Sequence, residues 1–166
     1  SGLRLVYESG GAAVELTTLR EDEQQHSAPH FLPDGENVLF VAQRFGTPTL
    51  GILSVVNIKT KERTDLDPSA RYAAPRYSES GHLLFAGKSA LFSRPFDPDA
   101  LTFQGKAVFV MELASTTDRG TAYYDLGNEG TLAYLKPGVT DGARKLHWLQ
   151  QGKEPTVASQ LPWKGN

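Results

Sequence analysis

The sequence predicts an all-β fold made of short antiparallel strands. Its 166 residues include sixteen Gly and ten Pro, a content that favours many turns over a few long helices. Hydrophobic residues make up 39% of the chain, which is enough to bury a core. The strongest indication is a repeated segment, in which a strand with an aromatic residue, a polar turn ending in Gly and an apolar strand follow one another.

The repeated segment occurs three times, each time around a turn that ends in glycine. The stretches FLPDG, YSESG and LGNEG end at Gly35, Gly81 and Gly130, and each is followed by an apolar run. Because a tight turn often requires a positive φ, which glycine adopts without a steric clash, we expect the three glycines to reverse the chain. The strand before each turn is expected to point its aromatic residue inward: Phe31, Tyr77 and Tyr124.

The turn glycines recur after 46 and then 49 residues, and each unit contains four predicted strands. Such a period, with four antiparallel strands per unit, is typical of the blades of a β-propeller. A β-sandwich also has evenly spaced strands, but it does not require the same aromatic, turn and glycine pattern three times. We therefore predict about three and a half blades with fourteen strands: the last two strands of one blade in 1–24, then blades in 25–70, 71–115 and 116–166, the last including a C-terminal tail.

The composition excludes several classes of function. The absence of cysteine excludes disulfide bonds, thiol nucleophiles and thiolate metal sites. A net charge of −2, from 17 basic and 19 acidic residues without basic clusters, argues against nucleic acid and anionic membranes as partners. No apolar run approaches the roughly 18 to 20 residues of a membrane helix, so membrane insertion is not expected. The chain shows no signal-peptide pattern, and these residues alone leave the compartment open.

Sequence motifs for catalysis and cofactor binding are missing. The chain has no G-x-S-x-G nucleophile elbow and no phosphate-binding glycine loop. His26 and His30 are four residues apart, but we place them in a loop entering a strand, where structural hydrogen bonds are expected rather than a metal site. The acidic stretch from Glu21 to Glu23 is expected to be a solvated loop, because it lacks the alternation of a calcium site. No catalytic residue, metal site or cofactor is therefore predicted.

The segment from Pro29 to Phe40 carries a more specific pattern. Its letters, P-x-F-x-P-D-G-x-x-x-x-F, resemble the blade signature of TolB-like propellers. More narrowly, SGGAAVELTTLREDEQQHSAPHFLPDGENVLFVAQ and ALFSRPFDPDALTFQGKAVFV resemble the extracytoplasmic sensor regions fused to bacterial serine/threonine protein kinases. This resemblance implies a bacterial, periplasmic sensor or scaffold that binds a protein, peptide or small ligand. The turns YSESG and LGNEG depart from the pattern, so only Asp34 matches its acidic turn residue.

An arc of this length is about half of the six or more blades that the resemblance implies. Such an arc leaves apolar faces uncovered at both ends. Three arrangements cover them: the missing half of a longer propeller, a second copy that closes the ring, or a C-terminal tail that caps one end with Trp163. Of these we favour the homodimer. The aromatic residues of the last blade are expected to pack between blades: Tyr123, Tyr124 and Trp148.

The function that the sequence favours is recognition of a ligand or protein without catalysis. In propellers, function usually lies on the loops. The longest and least strand-like segments are 44–51 and 115–124, and we predict ligand contacts from four of their residues: Arg44, Phe45, Asp118 and Arg119. The alternative is a hydrolase or lactonase-like propeller enzyme with a metal site in its channel. That site requires at least three convergent Asp, Glu or Asn ligands, which the sequence does not identify.

Overall fold

The computed structural model of the protein describes residues 1–47, 50–87, 89–113, 122–127, 130–135, 146–149 and 154–159. Its strands form four antiparallel sheets that follow one another along the chain, and the strands of each sheet are consecutive in sequence. The predicted all-β fold class is confirmed, with sheets arranged as successive blades. Among the described residues, no helix is long and apolar enough to cross a membrane.

The first two sheets differ in size. The first sheet contains only two short strands, β1 (Arg4–Leu5) and β2 (Val14–Glu15). The second sheet has four strands in the order of the chain: β3 (Glu23–Phe31), β4 (Asn37–Arg44), β5 (Ile52–Asn57) and β6 (Arg63–Asp65). The second sheet begins at Glu23, two residues before the predicted start of its blade.

The third and fourth sheets continue the pattern. The third consists of β7 (Ala73–Ser78), β8 (His82–Ala86), β9 (Ala90–Asp97), β10 (Thr102–Phe103) and β11 (Val108–Glu112). Both β10 and β11 pair with β9, so together they occupy the place of one outer strand. The fourth consists of β12 (Tyr124–Leu126), β13 (Leu132–Leu135), β14 (Leu146–Leu149) and β15 (Thr156–Ser159). The described residues thus hold fifteen strands where fourteen were predicted, because one outer strand is split around Gly105, which has a φ of 73°.

The three turn glycines adopt the predicted conformation. Gly35, Gly81 and Gly130 have φ angles of 67°, 78° and 71°, a region that side chains with a Cβ disfavour. In the first of these turns, the carboxylate of Asp34 also accepts hydrogen bonds from the backbone N–H groups of Glu36 and Asn37, both at 2.9 Å. The acidic turn residue therefore stabilises its own loop.

Within the described part of the chain, the core consists of three apolar layers, one between each pair of neighbouring sheets. Strand β4 shows how they form, because it is buried on both faces and successive side chains point in opposite directions. Val38 and Phe40 pack toward the first sheet, whereas Leu39 packs toward the third. A further layer between the third and fourth sheets is built from alanine, leucine and tyrosine residues, including Ala74, Leu91, Tyr124 and Tyr134. Stacking of sheet faces is thus the main source of burial.

The prediction that all three aromatic residues before the turns point inward is wrong for one of them. Phe31 is 50% exposed, although Tyr124 is buried and Tyr77 half-buried as expected. Phe31 lies opposite Val38 in the β3–β4 pairing and so faces the first sheet. That sheet has two strands whose apolar side chains pack on the β4 and β5 side, which leaves Phe31 on the innermost strand uncovered.

In the fourth sheet, Tyr123 and Trp148 are exposed rather than packed between sheets. Trp148 lies opposite Ala133, whose neighbours Leu132 and Tyr134 pack against the third sheet, so Trp148 lies on the other face of the fourth sheet. Tyr124 is buried against the third sheet. The alternation of a strand therefore separates two adjacent tyrosines into a packed one and an exposed one. Trp163 lies outside the described residues.

Candidate functional site

Three titratable side chains occupy the same position of the repeat. His30, Arg76 and Asp125 each lie five residues before a turn glycine. They belong to β3, β7 and β12, the first strands of the three larger sheets, and β7 contacts both β3 and β12. We call these three residues the inner-strand row. An imidazole, a guanidinium and a carboxylate thus follow one another across three adjacent sheets.

Arg76 is the central member of the inner-strand row. It lies opposite Leu84, on the face of β7 that packs toward the fourth sheet, and its Nε is 2.9 Å from Oδ1 of Asp125. The carboxylate side chain of Asp125 remains 73% exposed, whereas the guanidinium side chain of Arg76 is 24% exposed. The ion pair therefore leaves most of the carboxylate accessible to a ligand.

His30 occupies the other end of the inner-strand row. It lies opposite Leu39 and so faces the third sheet, where Arg76 is located. Burial lowers the pKa of His30, and the positive charge of Arg76 lowers it further. Asp125 and a hydrogen bond with the backbone of Tyr77 act in the opposite direction without reversing the shift. The lowered pKa favours the neutral imidazole, in which one ring nitrogen is a hydrogen-bond acceptor.

Two strained backbone positions orient the row. Ala28 and Ala74 have φ angles of 52° and 46°, and each lies two residues before a row residue. A left-handed conformation costs a residue with a Cβ roughly 1 to 2 kcal/mol. Both alanines lie in β-bulges, one between Ser27 and His30 and one between Ala73 and Arg76. Because a bulge redirects the side chains that follow it, the same strained feature orients His30 and Arg76.

Tyr124 fixes the distance between the second and third members of the row. It is buried, and its hydroxyl donates to the carbonyl oxygen of Ala74 and lies 3.2 Å from that of Leu84. Burial raises the pKa of Tyr124, so the hydroxyl keeps its proton. Since Tyr124 precedes Asp125, its hydrogen bond to the bulge at Ala74 places the carboxylate beside Arg76.

A second cluster of polar side chains lies between the first and second sheets. Thr17, His26 and Glu23 follow the order hydroxyl, imidazole, carboxylate, with 2.7 Å from Thr17 Oγ1 to His26 Nδ1 and 2.9 Å from His26 Nε2 to Glu23. We call it the His26 network, and its members are Thr17, Glu23, His26, Arg63 and Asp65.

The His26 network resembles a catalytic triad only in its order. The Thr17 hydroxyl already accepts a hydrogen bond of 2.8 Å from the backbone N–H of Leu3, and Thr17, Glu23 and His26 are all buried. A nucleophile must reach substrate, and this hydroxyl is covered by the first sheet. The cluster instead connects the two sheets through hydrogen bonds.

The charges of the His26 network are balanced once Arg20 is included, because its guanidinium lies 2.6 Å from a carboxylate oxygen of Asp65. Two guanidinium nitrogens of Arg63 donate to the two carboxylate oxygens of Glu23, at 2.7 and 3.1 Å, and its Nε donates to Asp65 at 3.0 Å. Burial would raise the pKa of Glu23, but hydrogen bonds from Arg63, from the Arg20 backbone and from His26 lower it to about 2. Burial is also the main reason that the pKa of His26 is lowered. A neutral imidazole therefore lies beside a charged carboxylate.

Two sequence predictions are corrected by this network. Glu23 was expected in a solvated loop, yet it begins β3 and is buried, because Arg63 lies on the outer strand of the same sheet and reaches it. His26 and His30 were expected in a loop and instead lie within β3. That strand pairs with β4 along its length, with two shifts of register, one between Glu23 and Gln25 and one between Ser27 and His30. The expected structural hydrogen bonds are made by His26.

Two of the predicted ligand contacts, Arg44 and Phe45, are not brought to the inner-strand row. Arg44 ends β4, and its Nε is 2.9 Å from a carboxylate oxygen of Asp22, while the neighbouring Phe45 is 66% exposed. Leu39, the partner of His30, lies five residues earlier in β4, which places Arg44 about 17 Å along the strand from the row. Asp118 and Arg119 lie outside the described residues.

Sequence reasoning missed the inner-strand row although a signal for it was present. The offset of five residues from each turn glycine is readable from the sequence, but His, Arg and Asp differ in type, so no repeated letter marks the position. In the described part of the chain, no group of three or more His, Asp or Glu side chains is placed to hold a metal ion. Comparisons with family models, with curated proteins and with solved structures found no match to this chain.

Proposed function

We propose that this protein is a non-catalytic recognition module, built from TolB-like propeller blades, that binds a small zwitterionic ligand or a peptide at the inner-strand row. The observation that carries the proposal is the Arg76–Asp125 ion pair of 2.9 Å with an exposed carboxylate, beside the half-buried imidazole of His30. These groups differ in charge and lie at equivalent positions of neighbouring sheets. Binding sites use a few such polar groups on a rigid frame.

The chemistry of the row suggests a ligand with both charges. A carboxylate on the ligand can accept two hydrogen bonds from the Arg76 guanidinium in its fork geometry. An ammonium group on the same ligand can donate hydrogen bonds to the exposed carboxylate oxygens of Asp125, and the neutral imidazole of His30 can accept a further one. One internal ion pair is then exchanged for two ion pairs with the ligand. The strained alanines support this assignment, because strain that fold stability alone does not require is often found at binding sites.

The test is a titration of the isotope-labelled protein followed by NMR, with diglycine, acetate and methylammonium as probes. We expect diglycine to shift the amide signals around His30, Arg76 and Asp125 saturably, and at lower concentration than either singly charged probe. Arg76→Gln should remove the saturable shifts. A matched control is Arg71→Gln, since Arg71 is exposed and its guanidinium donates to carbonyls of its own loop.

Two results would contradict the proposal. One is a set of diglycine shifts that is unaffected by Arg76→Gln, which would place binding elsewhere. The other is an equal response to all three probes that grows linearly with concentration, which would indicate no site at the row.

A further inference from the structure

The outer edge of the third sheet exposes a continuous apolar strand. Three consecutive hydrophobic residues of β11 are exposed: Val108 at 62%, Phe109 at 56% and Val110 at 39%. Val108 and Phe109 pair with β9, after which the register shifts before Met111, so Val110 is the extra residue of a bulge. Because the bulge interrupts the alternation of side chains, neither face of the strand hides its apolar residues.

This edge lacks the usual protection of sheet edges. Natural edge strands carry charges or proline, because an uncovered edge pairs with other chains. The outer strand of the second sheet follows that rule with Arg63, Thr64 and Asp65. In β11, by contrast, the residues between Lys106 and Glu112 are all uncharged. An exposed apolar strand of this length marks an interaction surface.

The charges at the two ends of this stretch indicate which partner fits the edge. Lys106 and Glu112 are exposed, lie three residues on either side of Phe109, and make no ion pair with another described residue. If two copies align antiparallel about Phe109, Val108 of each lies opposite Val110 of the other. Lys106 then lies opposite Glu112 of the partner subunit, and the reverse pair forms at the other end. The segment is therefore complementary to itself in charge and in apolar content.

We propose that the β11 edge, residues 106–112, is the contact surface of a homodimer in which two copies meet antiparallel about a twofold axis at Phe109. The same patch then serves both subunits, as twofold symmetry requires. The bulge prevents a long regular ladder, so apolar contacts and the two end pairs set the register. One strand per subunit is a small interface, and the dimer is expected to be weak and to form with rising concentration. This surface is separate from the sheet faces that would close a ring and from the inner-strand row.

The test exchanges the end charges and measures self-association by sedimentation velocity over a wide concentration range. Lys106→Glu and Glu112→Lys, made singly, each place two pairs of like charges across the axis, and each should weaken the dimer about tenfold or more. The double variant, with both changes, restores two opposite pairs and should recover most of the association. Lys59→Glu is the matched control, because Lys59 is an exposed lysine in the turn between β5 and β6, and it should leave the dimer unchanged.

A further variant separates this dimer from ring closure. Trp148→Glu places a charge on the open face of the fourth sheet, and the β11 dimer should tolerate it. The proposal is overturned by a wild-type protein that stays monomeric at every concentration, or by single exchanges without effect. It is also overturned if the double variant fails to recover association, or if Trp148→Glu alone abolishes it. Circular dichroism of each variant verifies that the fold is retained.

Discussion

The outer edges of the second and third sheets occupy the same place in the repeat and are built in opposite ways. Strand β6 directs Arg63 and Asp65 into the His26 network, where they pair with Glu23, Ser54 and Arg20. Strand β11 exposes Val108, Phe109 and Val110, and its apolar stretch is flanked by Lys106 and Glu112. One edge holds neighbouring sheets of the same chain together, and the other is the edge that we propose for contact with a second copy. An equivalent position in the repeat therefore determines that an outer strand forms, but not which contacts its side chains make.

The largest expected loss of unfolding free energy comes from removing the buried carboxylate that the β6 edge binds. Glu23→Ala leaves the Arg63 guanidinium without its buried carboxylate and removes the acceptor of His26. Loss of one partner of a buried ion pair costs about 3 to 5 kcal/mol of unfolding free energy. Urea unfolding measures the difference. Glu36→Ala, which removes an exposed ion pair with Lys59 on the same sheet, should cost less than about 1 kcal/mol. Equal losses in the two variants would show that the His26 network does not stabilise the fold.

An intermediate effect is expected at the next sheet interface, which relies on one hydroxyl rather than on charges. Tyr124→Phe leaves the carbonyl oxygens of Ala74 and Leu84 without that donor in a buried position. We expect a loss of about 1 to 3 kcal/mol in unfolding free energy. The neighbouring Tyr123 is exposed, so Tyr123→Phe should be nearly neutral. If both variants behave alike, the hydroxyl of Tyr124 does not connect the two sheets.

The pH dependence of stability should come mainly from the second sheet. The pKa of His26 is lower in the folded protein than its ordinary value of 6.5, so the unfolded chain binds more protons and the unfolding free energy falls as pH drops below 6.5. Glu23, with a pKa of about 2 against an ordinary 4.5, adds a further fall between about pH 4.5 and pH 2. Unfolding measured at a series of pH values should show both, and His26→Gln should reduce the first, to which His30 also contributes because its pKa is lowered too. A variant that keeps the full decrease below pH 6.5 would assign it to another group.

The smallest effect on stability is expected at the apolar edge. Val110→Lys changes an exposed residue of a bulge, and the unfolding free energy of the monomer should shift by no more than about 0.5 kcal/mol. Dilute protein in urea gives this value without self-association. A large loss would mean that Val110 supports the fold of its own sheet, and the contrast between the two edges would then disappear.

The parts of the fold that depend on neighbouring residues could be predicted from the sequence. Gly35, Gly81 and Gly130 were identified as turns because positive φ is a local steric requirement, and the observed angles confirm it. The buried character of β4 follows from its uninterrupted apolar run. The burial of Glu23 could not be foreseen, because its partner Arg63 is forty residues away and only sheet formation brings the two together.

The candidate site was less predictable than the fold. Arg44 and Phe45 were selected for lying in a long loop, and they lie apart from the inner-strand row. The row depends on β3, β7 and β12 being adjacent. It also depends on two bulges at Ala28 and Ala74, which the sequence does not indicate because alanine rarely adopts a positive φ. Nothing local to His30, Arg76 or Asp125 distinguishes them from ordinary polar strand residues.

The sequence by itself determined an all-β chain, the order of its strands and the positions of its glycine turns, because turn sterics and the alternation of side chains act over a few residues. Only the tertiary structure decided which faces and edges are covered. A two-stranded first sheet leaves Phe31 exposed, Arg63 reaches inward to Glu23, and β11 has no neighbour on its outer side among the described strands. The physical reason is that burial and ion pairing depend on which distant segments meet, and segments meet only when the sheets stack.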